Sequence, residues 1–322
     1  MFVYKKIDYI SWMNWRIKAF LQKILATTKL GDKLNHLSVT LNKKYHQNVF
    51  LYQSHECLRK FNYCKFNTNN LTVLEIGTGY SIISCVVLFL LGFKEIVTVD
   101  ISNDIRYSTF KKQIAFFTNE FLTEIISKSQ LNETEIRDKF SQINEAKSLS
   151  ELFNVLNLTY IAPYSLEDIE KQNIPFDYIS SQVVLEHVKP EILEILFQKT
   201  KNWLKKDGFC VHTINFIDHF ANPGFFQDKS ISEFNFLKFS DKQWSFWAKN
   251  PIAYTNRLSY IYYLQLCEKH KLQVVNFIGE NYRNRKELDK NTIHKDILNK
   301  YSVVPKLEDL IKYQRGTFVI KL

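Results

Sequence analysis

The stretch LTVLEIGTGYSIISCVVLFLLGFKEIVTVDIS, residues 71–102, constrains the fold more than any other part of the chain. Residues 71–76 and 95–99 have the apolar pattern of short strands, and residues 81–91 are long enough for a buried helix. Gly77-Thr78-Gly79 separates the first strand from the helix. Strand, helix and strand joined by tight turns predict a βαβ unit of a parallel sheet, with the usual right-handed crossover.

The glycine turn has the composition of a ligand-binding turn. Gly77 and Gly79 lack a Cβ atom, so the backbone can approach a ligand, and the free N–H groups that open the next helix favour polar or anionic groups. Glu75 stands two residues before the first glycine, and Asp100 ends the second strand. A carboxylate in that position accepts hydrogen bonds from ribose hydroxyls, so the pattern predicts a nucleotide-like ligand at the carboxyl ends of these strands.

The rest of the chain extends the sheet. We predict further strands at residues 158–161, 176–181, 209–216, 271–278 and 316–322, with a turn at 205–208 and helices at 191–204 and 256–270. Residues 103–150 are polar and helical in pattern, and residues 217–255 are aromatic and loop-rich. We therefore expect a main domain at 67–322 with a helical insertion at 103–150 and an aromatic lid at 217–255.

Residues 1–66 predict an N-terminal helical cap. Apolar side chains recur there at helical spacing, with cations between them: Trp12, Trp15, Ala19, Phe20 and Ile24, alternating with Arg16, Lys18 and Lys23. A helical layer packed on the main domain is the favoured interpretation, and a peripheral membrane-surface helix is the alternative. No apolar stretch is long enough for a transmembrane helix, and no secretory signal is evident.

Several motifs together resemble the class I S-adenosylmethionine-dependent methyltransferases. VLEIGTGYS is similar to their first motif, VTVD to their ribose-binding acid, FDYISSQVVLEHV to their fourth strand, and WLKKDGFCVHTI to their turn into strand five. The resemblance covers about residues 70–280. It implies a Rossmann-like α/β fold, a seven-stranded, mostly parallel sheet with the last strand antiparallel, helices on both faces, and S-adenosyl-L-methionine as cofactor.

The resemblance also assigns cofactor contacts, with two departures. It implies that the cofactor is held by Glu75, Gly77, Gly79, Asp100, Ile101, Ser165, Leu166 and Gln182. The third glycine of the motif is Ser81, and the acid that contacts adenine after strand three is absent, with Ser165 and Leu166 in its place. A nicotinamide-dependent dehydrogenase would require glycine at Ile82. That reading, and a catalytically inactive binding or scaffold protein, are kept as alternatives.

The acceptor is predicted to be a small molecule, with a hydroxyl favoured: a sugar, a lipid or a secondary metabolite. Ser180–Val183 stands where amino-methylating nucleic-acid enzymes of this fold carry their Pro-Pro-Tyr motif, and no Pro-Cys dipeptide exists for cytosine-5 methylation. The net charge of +10 is spread without a Lys/Arg run longer than two, so specific nucleic-acid binding is not expected and RNA methylation is an alternative. Lid aromatics are candidates for an acceptor pocket: Phe225, Phe226, Phe234, Phe236, Phe239, Trp244, Phe246 and Trp247.

His219, His187 and Asp218 are the candidate catalytic residues, because methylation of a hydroxyl benefits from a base. His187 follows the fourth strand, and Asp218-His219 follow the fifth, where they could act as an oriented pair; His212, inside the strand, reads as structural. The five cysteines form no C-x-x-C pair, so neither a disulfide framework nor a metal site is predicted, and a reducing cytoplasm fits. The sequence leaves the oligomeric state open.

Overall fold

A twisted α/β sheet organises the molecule. The computed structural model describes residues 13–26, 43–66, 70–221, 228–250, 254–282 and 286–322. The sheet has seven strands in the order β3-β2-β1-β4-β5-β7-β6. They are β1 (Leu71–Ile76), β2 (Phe93–Val99), β3 (Leu158–Ile161), β4 (Phe176–Gln182), β5 (Leu204–Asn215), β6 (Gln273–Glu280) and β7 (Arg315–Lys321). Strands β1 to β5 pair in parallel, and β7 runs antiparallel between β5 and β6, which confirms the predicted fold class.

Helices cover the sheet, and many begin with the capping residues that their sequences supply. Asn132 and Ser240 each form a reciprocal capping box, and Pro190 occupies the first turn of its helix. The helices are α1 (Trp15–Ala26), α2 (Lys43–Phe61), α3 (Ile83–Leu90), α4 (Tyr107–Ile114), α5 (Asn119–Lys128), α6 (Glu133–Glu145), α7 (Leu149–Leu156), α8 (Leu166–Lys171), α9 (Pro190–Trp203), α10 (Asp241–Ala248), α11 (Tyr260–Lys269), α12 (Lys295–Leu298) and α13 (Leu307–Leu310).

The central strands are buried on both faces, as their nearly continuous apolar sequences indicate. Successive side chains of a strand point to opposite faces, so Val73 of β1 packs with α2 to α7 while Leu74 packs with α9 and α11. These two apolar layers hold the carboxyl ends of β1, β2, β4 and β5 at one edge of the sheet. The loops that leave this edge build the site.

One local prediction is wrong. Residues 205–208 were expected to form a turn before the fifth strand, whereas β5 begins at Leu204 and contains them. The register explains the difference: Leu204 pairs with Phe176, and Phe209 already pairs with Tyr178. The extra residues therefore bulge out of an otherwise continuous strand, which the turn-like composition of the segment does not reveal.

The N-terminal helices contact two different parts of the molecule. Helix α2 packs on α3 and α4, and α1 packs on α10. In α1, Trp15 and Ala19 are buried, whereas Phe20 and Ile24 are 58% and 47% exposed; Trp12 lies outside the described residues. None of the described helices is both long enough and apolar enough to span a membrane.

The segment after β5 forms a lobe with its own apolar core. Among the lid aromatics, Phe234, Phe236, Phe239, Trp244 and Trp247 pack together there, against Trp15 and Phe220. The Trp15 ring lies 5.5 to 5.8 Å from the Phe220, Phe239 and Trp244 rings. Phe246 is 61% exposed, and Phe225 and Phe226 lie outside the described residues. Most of the lid aromatics therefore stabilise the lobe.

Candidate active site

The glycine turn after β1 has a backbone that other residues adopt only under strain. Gly77 and Gly79 have φ angles of +85° and +61°, and the Gly77 N–H donates to the Val99 carbonyl at 2.8 Å. A Cβ atom at position 77 would lie 2.3 Å from Val184 Cγ2, whereas one at position 79 would meet open space. The turn after β1 and the turn after β4 are thus in direct contact, and only glycine fits between them.

Asp100 connects this turn to the end of β2. Its Oδ2 accepts a hydrogen bond from the Gly79 N–H at 2.7 Å, and its Oδ1 accepts one from the Ser102 N–H at 3.1 Å. The carboxylate is largely buried and lines the cleft. Oδ1 also lies 3.5 Å from the Ser102 hydroxyl, whereas Oδ2 keeps a second lone pair with which it can accept from a ribose hydroxyl while its orientation stays fixed.

Ser81 and Gln182 also line the cleft, close to the glycine turn and to the end of β4. The Ser81 hydroxyl donates to Gln113 Oε1 at 2.8 Å, which draws the side chain into the protein and keeps the approach open where the related motif has a glycine. Gln182 Nε2 donates to the Tyr52 hydroxyl at 2.7 Å. Gln182 Oε1 is buried without a hydrogen-bond partner among the described residues and is available to a ligand donor group.

The other predicted cofactor contacts, Ile101, Ser165 and Leu166, lie in different places. Ile101 lines the cleft and is 80% exposed, so its side chain offers an apolar face. Ser165 instead forms a capping box with Asp168 at the start of α8, and Leu166 packs beneath the sheet. Tyr164, which the sequence analysis did not select, lines the cleft in their place, and its N–H donates to the Asp100 carbonyl at 3.1 Å.

Glu75 is buried inside the sheet and does not line the cleft. Its carboxylate accepts a hydrogen bond from the Ser180 hydroxyl and lies 3.8 Å from Lys60 Nζ. Lys60 comes from α2, is 2% exposed, and also donates to Ser180 Oγ at 2.9 Å. The acid of the first motif therefore links β1, β4 and α2, and a direct contact with the donor remains only a prediction.

The histidines after β4 and β5 lie together. His187 ends the short turn Leu185–His187, and its ring is 4.9 Å from that of His219. His187 Nδ1 lies 2.9 Å from the Tyr254 carbonyl, which can only accept, so Nδ1 carries the hydrogen and Nε2 keeps a lone pair. His187 is exposed by its solvent-accessible surface, yet the protein atoms packed around the ring desolvate it and lower its pKa, which favours the neutral ring.

Asp218 and His212 occupy the interior. The Asp218 carboxylate accepts from the Phe220 N–H at 2.8 Å and the Asn235 amide at 3.4 Å, and burial raises its pKa to about 7. It is fully buried and does not line the cleft, and these two donors orient the carboxylate within the lobe; its pairing with His219 stays a prediction. His212 is also buried, lies 2.8 Å from Ser181 Oγ, and has a pKa that burial lowers to about 3, as expected of a structural residue.

Buried next to His187 is a carboxyl group that the sequence analysis did not select. Glu186 is 2% exposed, and both of its carboxyl oxygens lack a hydrogen-bond partner among the described residues. Burial raises its pKa to about 8, and the neighbouring Asn215 amide groups offset only part of this shift. One ligand atom from each of Glu186, His187 and His219 lies within 4.8 Å of the others.

One cleft of about 1220 Å³ is lined both by the glycine turn with Asp100 and by residues near the histidines. Gly77, Gly79, Asp100 and His187 line it together with Trp244 of α10 and Arg257. Asn256 holds the His187 turn in place, since its N–H donates to the Glu186 carbonyl at 2.8 Å. A volume above the roughly 300–1,000 Å³ of an ordinary ligand pocket leaves room for a donor and a second small molecule.

The strand order, the glycine turn and the acid at the end of β2 together define a class I, Rossmann-like S-adenosylmethionine-dependent methyltransferase. In agreement, residues 20–265 match a family model described as "Methyltransferase domain". The chain belongs to this methyltransferase family, and S-adenosyl-L-methionine is its cofactor. The dehydrogenase and inactive-scaffold alternatives are set aside.

Several solved structures are similar to this chain at low identity. A cyclopropane-fatty-acyl-phospholipid synthase-like protein from Lactobacillus casei is 12% identical over 86% of this chain and 92% of its own, with a TM-score of 0.45. An S-adenosylmethionine-dependent methyltransferase from Clostridium acetobutylicum is 14% identical over 90% and 98%, with a TM-score of 0.37. A geranyl diphosphate methyltransferase is 11% identical over 83% and 84%, with a TM-score of 0.41. No curated protein matches the sequence.

Proposed function

We propose that this methyltransferase methylates a small-molecule acceptor, with a hydroxyl group as the favoured site. The observation that carries the proposal is the shared cleft, in which the donor turn and Asp100 face the same space as Trp244 and Arg257 of the lobe. An acceptor enclosed beside the donor loses translational freedom before reaction, which is a large part of the catalysis available to methyl transfer.

S-adenosylmethionine supplies a methyl group made electrophilic by its sulfonium. Asp100 would hold the ribose, the Gly77–Gly79 backbone would pass close to the donor, and Ile101 and Tyr164 offer side chains to the adenine. The residues fit such a ligand because the space beside Gly79 is open and because Gln182 Oε1 is buried without a hydrogen-bond partner among the described residues.

His187 and His219 are the groups proposed to help the acceptor lose its proton. His187 presents a neutral ring whose Nδ1 is fixed by the Tyr254 carbonyl, so Nε2 is the acceptor nitrogen. His219 does not line the cleft and would act through its contact with His187, at a ring distance of 4.9 Å. Asp218 is left out of the proposal because it is fully buried and its carboxylate is bonded within the lobe.

The test is transfer of a labelled methyl group from S-adenosylmethionine into an extract of the native host. We expect the label in products that pass a small-pore ultrafilter, and we expect it to resist alkali, because a methyl ether is stable where a methyl ester releases methanol. Label retained with RNase-sensitive material would contradict the small-molecule acceptor. Alkali-labile label would identify a carboxylate acceptor, and a reaction without the enzyme provides the background.

A further inference from the structure

Three side chains, of which His187 lines the cleft, form a cluster that neither the fold nor donor binding explains. Glu186 and His187 follow β4, and His219 follows β5. Because β4 and β5 are adjacent parallel strands, their carboxyl ends bring these residues together, with one ligand atom of each within 4.8 Å of the others. Side chains from two loops thus converge on one point.

The protein around the Glu186 carboxyl group leaves its hydrogen-bonding capacity unmet. It is 2% exposed, and neither oxygen has a hydrogen-bond partner among the described residues. The amide groups of Asn215 are near but do not close a hydrogen bond of normal geometry. Buried carboxylates without a partner are costly and rare, and coordination of a cation is one of the few ways to satisfy both oxygens.

His187 is arranged as metal-binding histidines are. Its Nδ1–H donates to the Tyr254 carbonyl at 2.9 Å, which fixes the ring and leaves Nε2 with its lone pair. Metal-ligating histidines almost always make such a bond from their other nitrogen. The turn that carries His187 is itself held, since the Asn256 side chain donates to the Leu185 carbonyl at 2.7 Å and to the Val188 carbonyl at 3.0 Å.

We propose that Glu186, His187 and His219 bind a divalent first-row cation of the manganese, iron or zinc class. One carboxylate and two imidazoles form a mixed oxygen and nitrogen ligand set that suits these ions better than calcium or magnesium. Ligands at about 2.0–2.2 Å from an ion lie roughly 3–4 Å apart, so the cluster closes by about 1 Å on binding. This differs from the sequence expectation of no metal site, which considered cysteine spacing alone.

The role of the ion rests on the proposed function, whereas its binding does not. Three protein ligands leave coordination positions open, and because His187 lines the cleft, an acceptor hydroxyl bound there is placed next to the ion. Coordination lowers the pKa of a hydroxyl, so with the ion bound its proton leaves to water, and the two histidines act as ligands in place of the base role proposed above. The oxygen lone pair then forms the new O–CH3 bond as the S–CH3 bond breaks, and the bonding electrons stay on sulfur.

The binding test uses the full chain freed of metal by a chelator. Co²⁺ is titrated while the visible absorption is followed, and calorimetry with Mn²⁺ and Zn²⁺ gives stoichiometry and affinity. We expect one ion per chain in the wild type. Glu186→Gln and His219→Gln each remove one ligand while nearly preserving size, and each should weaken binding by at least about tenfold.

Glu194→Gln is the matched control, because Glu194 forms a surface pair with His270 at 2.7 Å, away from the cleft. It should leave stoichiometry and affinity unchanged. A shift of melting temperature with S-adenosylhomocysteine identifies variants with an intact donor site, and His219→Gln serves if Glu186→Gln does not fold. Absence of saturable binding, or equal binding by the wild type and both ligand variants, would overturn the proposal.

The same samples separate this inference from the proposed function. One-to-one binding that both ligand variants weaken supports the metal site even if the label appears in RNA. Full hydroxyl methylation by chelator-treated protein that binds no ion overturns the metal site and leaves the proposed function standing.

Discussion

The donor half and the acceptor half of the cleft position their residues by different means. The donor half is built from the ends of β1 and β2, and its key contact joins Gly79 to Asp100 through a backbone N–H. The acceptor half combines a turn after β4, a residue after β5 and a lobe with its own aromatic core. Under the proposed function, donor recognition therefore depends on backbone shape within one short segment, whereas acceptor recognition depends on side chains from distant ones.

The largest effect that would separate the halves is a loss of rate without a loss of donor binding. His187→Ala should lower turnover by about 10²–10⁴, because it removes the proposed base or metal ligand, while affinity for S-adenosylmethionine changes little. Single-turnover transfer of labelled methyl and calorimetry measure the two quantities separately. His270→Ala, whose ring pairs with Glu194 outside the cleft, is the control. If His187→Ala and His219→Ala both keep full turnover, an amine or carboxylate acceptor replaces the hydroxyl.

Gly77→Ala, in contrast, should act on binding of the methyl donor. The new Cβ atom would lie 2.3 Å from Val184 Cγ2 at a φ of +85°, so strain and displacement together should weaken donor affinity by about a hundredfold. Gly79→Ala is the matched control, because its Cβ atom meets open space and only the φ cost of roughly 1–2 kcal/mol remains.

Adding Val184→Ala to Gly77→Ala should restore part of the affinity, because it removes the two closest carbon atoms and leaves a contact of 3.1 Å. Calorimetry with S-adenosylhomocysteine measures all three variants. Equal affinity of Gly77→Ala and wild type would show that the two turns do not need their close contact.

Asp100→Ala should have a smaller effect on the same half. It removes the acceptor of the Gly79 N–H and the proposed acceptor for the ribose hydroxyls. Hydrogen bonds to a charged group contribute about 1.5–3 kcal/mol, so donor affinity should fall by roughly tenfold or more. Asp168→Ala, which removes a capping carboxylate of α8, is the control for loss of an acid near the sheet edge. Unchanged donor affinity in Asp100→Ala would exclude the ribose contact.

Ile101→Ser should give the smallest change. The side chain is 80% exposed in the free protein, so a bound adenine can cover only part of its apolar surface. Burial of apolar area at about 25 cal/mol per Å² predicts a loss of a few-fold in donor affinity with no change in melting temperature. Ile195→Ser, on α9 and outside the cleft, is the control. A loss larger than that of Asp100→Ala would mean that adenine contacts dominate donor binding.

The contrast between the halves also explains what the sequence could predict. The strands, the glycine turn and Asp100 follow from apolar periodicity and residues that need special backbone geometry, and these signals are local. The sequence also selected His187 and His219, because both follow neighbouring strands. The sequence analysis also paired His219 with Asp218, but it could not tell in which direction the Asp218 side chain points. In a loop after a strand, that direction is decided by packing that no local pattern records.

Other features had no sequence signal. Lys60 lies in the polar, amphipathic pattern of α2, where a lysine is normally exposed, and its burial beside Glu75 depends on a contact across the fold. The lid aromatics were visible as composition, but composition does not tell a pocket lining from an apolar core. The burial of Glu186 also has no sequence signal, because it arises from the turn that Asn256 holds.

The contact between Lys60 and Glu75 determines how this protein can be shortened or fused. A fragment that starts at residue 67 retains the acid in the middle of the sheet and loses the only cation that reaches it among the described residues. Removing one partner of a buried pair costs about 3–5 kcal/mol, and the same cut uncovers the face of α3 on which α2 packs. The smallest fragment of this enzyme that folds therefore includes α2. A gene fusion joined after residue 66 would carry the methyltransferase motifs without a stable fold.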